Sequence, residues 1–134
     1  MKKDVKDYLP QHHLDNFYID EMLELTEEEI KPILLDLITW LKDMSKAIAN
    51  QLLPVLIKNP NALEDIIKEI LDGEKTDTIW KYNIIAYVVK EFPLENKQNL
   101  KKTLERIVNK PYKYETIYET DIAAKAILNE IESK

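Results

Sequence analysis

The chain of 134 residues has no cysteine, one glycine and one arginine. Each shortage removes a kind of chemistry. Without cysteine there is no disulfide, thiolate zinc site or thiol nucleophile, which fits a reducing compartment. Hairpin turns, Rossmann turns and phosphate loops use glycine for positive φ or for close approach to a ligand. With Gly73 alone, neither dinucleotide or P-loop chemistry nor a large antiparallel sheet is expected. Arg106 is the one side chain able to read phosphate or guanine bidentately. The two histidines, His12 and His13, are adjacent. Neighbours in sequence do not share a helix face, and zinc needs three or four convergent ligands, so no metal and no cofactor is expected. No apolar run approaches a membrane span, and "MKKDVKDYLPQHH" is basic without the apolar stretch of a signal peptide. A cytoplasmic protein is expected.

What remains is a helical composition. Hydrophobic residues make up 45% and charged residues 33%, the balance of a globular chain rather than a disordered one. The length suits one domain, residues 1–134, with an N-terminal arm over 1–14 that carries charges, Pro10 and both histidines but no periodicity. Beyond the arm, apolar residues recur at helical spacing in about seven segments. Phe17, Ile19, Met22, Leu23 and Leu25 mark a short first helix. Thr26 and Glu29 form a capping box ahead of "IKPILLDLITWLKDM", where Pro32 predicts a bend or a later start. Ser45 is placed to cap "KAIANQLLPVLIK", which Pro54 should kink or divide. Asn59 and Pro60 read as N-cap and first helical residue of the next segment, and Gly73 as the residue just past its end. Thr76 or Asp77 starts "TIWKYNIIAYVV", which Pro93 closes. "ENKQNLKKTLERIVNK" and "YETDIAAKAILNEI" complete the chain.

These segments repeat. The apolar set Leu63, Ile67, Ile70, Leu71 recurs as Leu100, Leu104, Ile107, Val108 and as Ile33, Leu37, Trp40, Leu41. A second set, Ile48, Leu52, Leu53, Leu56, recurs as Trp80, Ile84, Ile85, Val88 and as Ala123, Ile127, Leu128, Ile131. The copies lie roughly 30 to 43 residues apart, the range of helical repeats. The expected fold is all-α, a short HEAT-like solenoid of three helical hairpins after the first helix, each with an outer and an inner helix. An irregular helical bundle is the alternative.

Four stretches, "WLKDM" (Trp40 to Met44), "IWKY" (Ile79 to Tyr82), "LERI" (Leu104 to Ile107) and "ETDIAAKAIL", resemble a family of small bacterial proteins known only as a domain of unknown function. The resemblance covers roughly residues 8 to 130 and implies a HEAT-like helical fold without implying an activity. This chain has Ser45, Lys46 and Ala47 where the family commonly has Asn-Trp-Pro, and Asn83 where it commonly has a second tryptophan.

The expected function is a non-enzymatic protein-interaction module, immunity-like or adaptor-like. In a three-hairpin solenoid the inner helices line a concave face, and partner-binding is expected at Lys46, Asn50, Trp80, Lys81, Tyr82 and Asn83. Trp80 belongs to the packing face of its helix, while Lys81 and Tyr82 are expected to point away from it, and Asn83 too unless it lies at an edge. The formal charge of −6 and the acidic run Asp20, Glu21, Glu24, Glu27, Glu28, Glu29 suit a basic protein partner. A small-molecule or nucleotide-processing enzyme with a pocket on the concave face, built around Tyr82, Asn83 and buried carboxylates, is the alternative, although no nucleophile with base and orienting group is evident. A third reading is weak nucleic-acid binding through Lys101, Lys102 and Arg106 in the 97–113 lysine cluster, with Tyr112 and Tyr114 near by.

Overall fold

The structure, a computed structural model, describes residues 4–133. Residues 1–3 of the expected arm and residue 134 lie outside that range. The elements in chain order are α1 (Ile19–Glu24), α2 (Glu27–Ile30), α3 (Leu34–Thr39), α4 (Ala47–Ile57), α5 (Pro60–Asp72), α6 (Thr78–Tyr87), α7 (Leu94–Asn99), α8 (Lys101–Asn109), α9 (Lys113–Ile117) and α10 (Thr120–Glu132). Short 3-10 turns cover Val5–Tyr8, Lys31–Ile33, Trp40–Lys42 and Val89–Glu91. The fold is all-α, with no strand among the described residues.

Local chemistry explains most boundaries. Thr26 and Glu29 form the expected capping box: the Glu29 N–H donates to Thr26 Oγ1 (3.1 Å) and the Thr26 N–H to Glu29 Oε1 (2.9 Å). Pro32 falls in the 3-10 turn that separates α2 from α3, because proline removes a ladder donor and crowds the preceding turn. Asp77 caps α6, accepting from the Ile79 and Trp80 N–H groups at 2.9 and 3.2 Å.

Other expectations are corrected. Pro54 does not divide α4, which runs on to Ile57 while Leu52, Val55 and Leu56 hold both sides of the proline in the core. Ser45 is not a cap: its N–H and hydroxyl both bond Asp43 Oδ1, and the cap position falls to Lys46, without a side-chain bond. Asn59 and Pro60 take their expected positions, yet the Asn59 amide turns back to the Val55 carbonyl (2.7 Å). Gly73 is the residue just past α5, as expected, with extended backbone (φ −70°, ψ 117°). A Cβ there would lie 2.1 Å from Thr76 Oγ1, so the threonine would have to shift. The expected 95–110 helix breaks at Leu100 into α7 and α8. A separate short helix, α9, precedes α10, the two divided by Glu119 at φ 62°.

The expected apolar positions are nearly all interior. Of the repeated sets, only Trp40, Leu53, Val108 and Ala123 are half-buried and the rest are buried. The described part of the arm lies on the body, with Val5, Tyr8 and Leu9 against the core and the Ile48 N–H donating to the His13 carbonyl (3.1 Å).

Side-chain bonds tie segments together at two recurrent separations. Trp80 Nε1 donates to the Ile38 carbonyl (2.8 Å), Asn83 Nδ2 to Leu41 (2.7 Å) and Thr120 Oγ1 to Thr78 (3.4 Å), each 42 residues apart. A second row, 34 or 35 residues apart, runs from Glu27 to the Asn61 amide and Ala62 N–H and from Asn61 to Asn96. Helices α6 and α10 lie side by side in the same direction. Thr120 Oγ1 donates to the Thr78 carbonyl where the two helices start. Ile79 and Glu119 line one cavity at that end, and Lys90, just past α6, and Glu130 line another at the other end.

Candidate functional site

Helix α6 is built from a capping aspartate and a run of apolar residues, so its first turn is fixed and most of its surface is packed. Trp80 is 8% exposed, Lys81 0% and Asn83 7%; Tyr82 alone of the four reaches the surface, half-buried. This corrects the expectation that Lys81 and Asn83 point away from the packing face. Asn83 is drawn inward by the uncapped Leu41 carbonyl at the end of the preceding turn. Lys46 and Asn50 are exposed at the start of α4, where Asn50 donates to the Met44 and Lys46 carbonyls. Neither lines the groove around Tyr82.

Lys81 belongs to a closed ionic centre. Its Nζ lies 3.0 Å from Glu115 Oε2, with side-chain exposures of 1% and 0%. Arg106 grips the same carboxylate with both terminal nitrogens at 2.9 Å, donates through Nε to Asp72 Oδ1 (3.2 Å) and reaches the Leu71 carbonyl (2.8 Å). The Tyr112 N–H completes the shell on Glu115 Oε1 at 2.7 Å. The Tyr112 ring lies under both cations, 4.1 Å from the Arg106 guanidinium and 5.0 Å from Lys81 Nζ. Burial pushes the Glu115 carboxyl up, but hydrogen bonds from Arg106, Tyr112 and Lys81 outweigh it and hold the group below its ordinary value. Burial works against the Arg106 charge too, and the bonds and charge of Glu115 overcome it.

The centre was not legible in the sequence. Glu115 lies outside the 97–113 lysine cluster. Its position three residues into a segment that follows Pro111 was the one available sign. Two cations of the cluster are committed internally. Lys97 is buried on Glu130 (2.5 Å), and the single arginine serves Glu115 and Asp72. The nucleic-acid reading loses its bidentate donor. The enzyme reading asked Asn83 to face a closed polar pocket, and its amide is spent on Leu41. His12 Nδ1 accepts from the Leu14 N–H (3.2 Å) on an exposed segment, and the described residues contain no group of three His, Asp or Glu side chains placed to hold a metal.

An open groove lies where α6, α9 and α10 meet. Its wide end, a cavity of about 440 Å³, is lined by Ile79, Tyr82, Ile117, Tyr118 and Glu119. It continues between α6 and α10 as a narrower cleft of about 220 Å³ that shares Tyr82 and Glu119 and runs past Ala86, Ile122 and Ala126 to Lys90. Its walls are unusually apolar for open surface: Ile79 is 46% exposed, Ile117 57%, Tyr118 47% and Ile122 62%. Glu119 enters it from a left-handed backbone conformation, which a side chain with a Cβ adopts at a cost of about 1–2 kcal/mol.

Together these features describe a small all-α domain with a buried Lys81–Glu115 pair, bridged to the surface by Arg106, and an apolar groove. The chain belongs to the DUF5071 family, a domain of unknown function whose family model matches residues 8–128. No curated protein matches it. No helix among the described residues is long and apolar enough to cross a membrane.

Proposed function

We propose that this protein is a cytoplasmic, non-enzymatic interaction module on a short HEAT-like solenoid, and that it holds a protein partner in the groove between α6 and α10. The solenoid reading is supported by the two rows of bonds at recurrent separations and by the parallel course of α6 and α10, as in stacked inner helices. The observation that carries the docking reading is the contiguous set Ile79, Ile117, Tyr118 and Ile122, large apolar side chains left open to solvent beside Tyr82. Aromatic anchors in such a setting commonly dominate binding energy.

The sign of the partner follows from charge. The chain carries −6, and of the acidic run only Glu27 and Glu29 are engaged in holding α2 and α5 in place. Asp20, Glu21, Glu24 and Glu28 remain on the surface. A basic protein would be steered towards this molecule, faster at low salt, which suits an immunity-like or adaptor-like bacterial role.

Photo-crosslinking residues placed at Tyr82 and at Ile122 in the native host are the test. Both are expected to capture one and the same protein. Once purified, that protein should bind wild type and lose about tenfold or more in affinity for Ile122→Asp, the scale of a central contact. A captured protein that binds Ile122→Asp as tightly as wild type removes the groove from the interface.

A further inference from the structure

The groove also carries information about the shape and direction of what it holds. Its two sides are helices, whose backbone donors and acceptors are used within their own ladders. An extended peptide laid there would leave its own N–H and C=O groups facing apolar walls without partners. A helix arrives with its backbone already satisfied. Small residues at mid-groove, Ala86 and Ala126 with half-buried Ala123, let a helix approach closely, and the large side chains at the Ile79–Tyr118 end give it a wall to pack against.

The ends of the groove differ in sign. Glu119 stands at the wide end and is shared by both parts of the cavity; at the far end Lys90 stands beside Glu130, whose carboxylate is already paired with Lys97, so that end keeps a net positive charge. Glu119 and Lys90 are both exposed. Measured along α6 from Ile79 to Lys90 the groove is roughly 16 Å long, about three helical turns. A docked helix has a partial positive charge at its N-terminus and a partial negative charge at its C-terminus. Glu119 is also the one residue other than glycine at positive φ among the described residues. A glycine there would relieve the strain and still serve at the start of α10, so the strain holds a carboxylate at this end of the groove.

We propose that the occupant is an amphipathic helix of about three turns from the partner protein, running parallel to α6 and α10, with its N-terminus at Glu119 and its C-terminus at Lys90. This rests on the docking reading above and adds the fold and polarity of the ligand.

The experiment uses a phage-displayed library of amphipathic helical peptides selected on the full chain, with Ile122→Asp as the counter-target. A selected peptide is then spin-labelled at either end. The N-terminal label is expected to broaden the methyl signals of Ile79, Ile117 and Ile122, and the C-terminal label those of Ala126 and Ile127. Glu119→Gly is expected to weaken the peptide about threefold or more, a loss on the scale of a charge at a helix end, without lowering the unfolding midpoint. Reversed broadening, a peptide bound in extended form, or unchanged affinity for Glu119→Gly overturns the helix proposal while leaving the groove as a docking site. A selection that yields no binder, or only binders indifferent to Ile122→Asp, overturns the docking reading as well.

Discussion

Lys81 Nζ and Glu115 Oε2 meet 3.0 Å apart in the interior, joining α6 to α9 across 34 residues of chain. The pair is not isolated, because Glu115 also receives both terminal nitrogens of Arg106. Its two members are therefore unequal, and removing one is not the same as removing the other.

Lys81→Met leaves Glu115 paired with Arg106 and fills most of the vacated volume. Glu115→Ala leaves Lys81 buried without a counter-charge and Arg106 with only the outer Asp72. Breaking a buried pair from one side typically costs about 3–5 kcal/mol. Glu115→Ala is expected to fall in that range and Lys81→Met clearly below it. Urea unfolding of both variants checks the order; equal losses would mean that Arg106 does not support the carboxylate.

The same centre sets an acid limit. Glu115 titrates below its ordinary value in the folded chain, so its contribution is complete above the unfolded value, about 4.3. The contribution is lost as pH falls through the lower, folded value. Stability should decline on acidification from that region downward, and Glu115→Gln, already weakened at neutral pH, should show a shallower decline. Parallel pH profiles of the two proteins would contradict this.

Gly73→Ala places a methyl group 2.1 Å from Thr76 Oγ1, closer than any real contact. The turn or the threonine must shift, at an expected cost of about 1–3 kcal/mol, the range for overpacking. Thr76→Ala in the same chain should recover most of that loss. A double-mutant cycle by thermal unfolding gives the coupling directly, and simple additivity would show that the two positions do not collide.

Asp77→Ala removes the acceptor for two N–H groups at the start of α6. The expected loss is about 1 kcal/mol, as for other N-caps, with Asp77→Asn losing less. Ile122→Asp, by contrast, changes a side chain that is 62% exposed. It should leave the unfolding midpoint close to wild type while reducing partner binding. Substitution at Lys81 is no test of the binding surface, because its side chain is buried.

Much of the architecture is written in the local pattern. A helix needs only residues a few positions apart to agree on one face, so the apolar sets around Ile67, Leu104 and Ile84 announced their own burial. Thr26 with Glu29, and Asp77 ahead of Trp80, likewise declare helix starts through bonds spanning two or three residues. Family membership was also legible from the sequence, as the family model over residues 8–128 shows.

Only the tertiary structure decided which polar residues are interior. A lysine on an amphipathic helix looks the same whether it meets water or a carboxylate 34 residues away, and the choice for Lys81 depends on where α9 lands. Asn83 goes inward for a similar reason: its partner is the Leu41 carbonyl, 42 residues earlier. The groove is likewise a product of assembly. Ile79 and Ile122 are ordinary apolar residues in their own segments and become a shared surface once α6 and α10 lie alongside each other. Short-range periodicity specifies faces; which faces meet, and which stay open, depends on contacts between residues far apart in the chain.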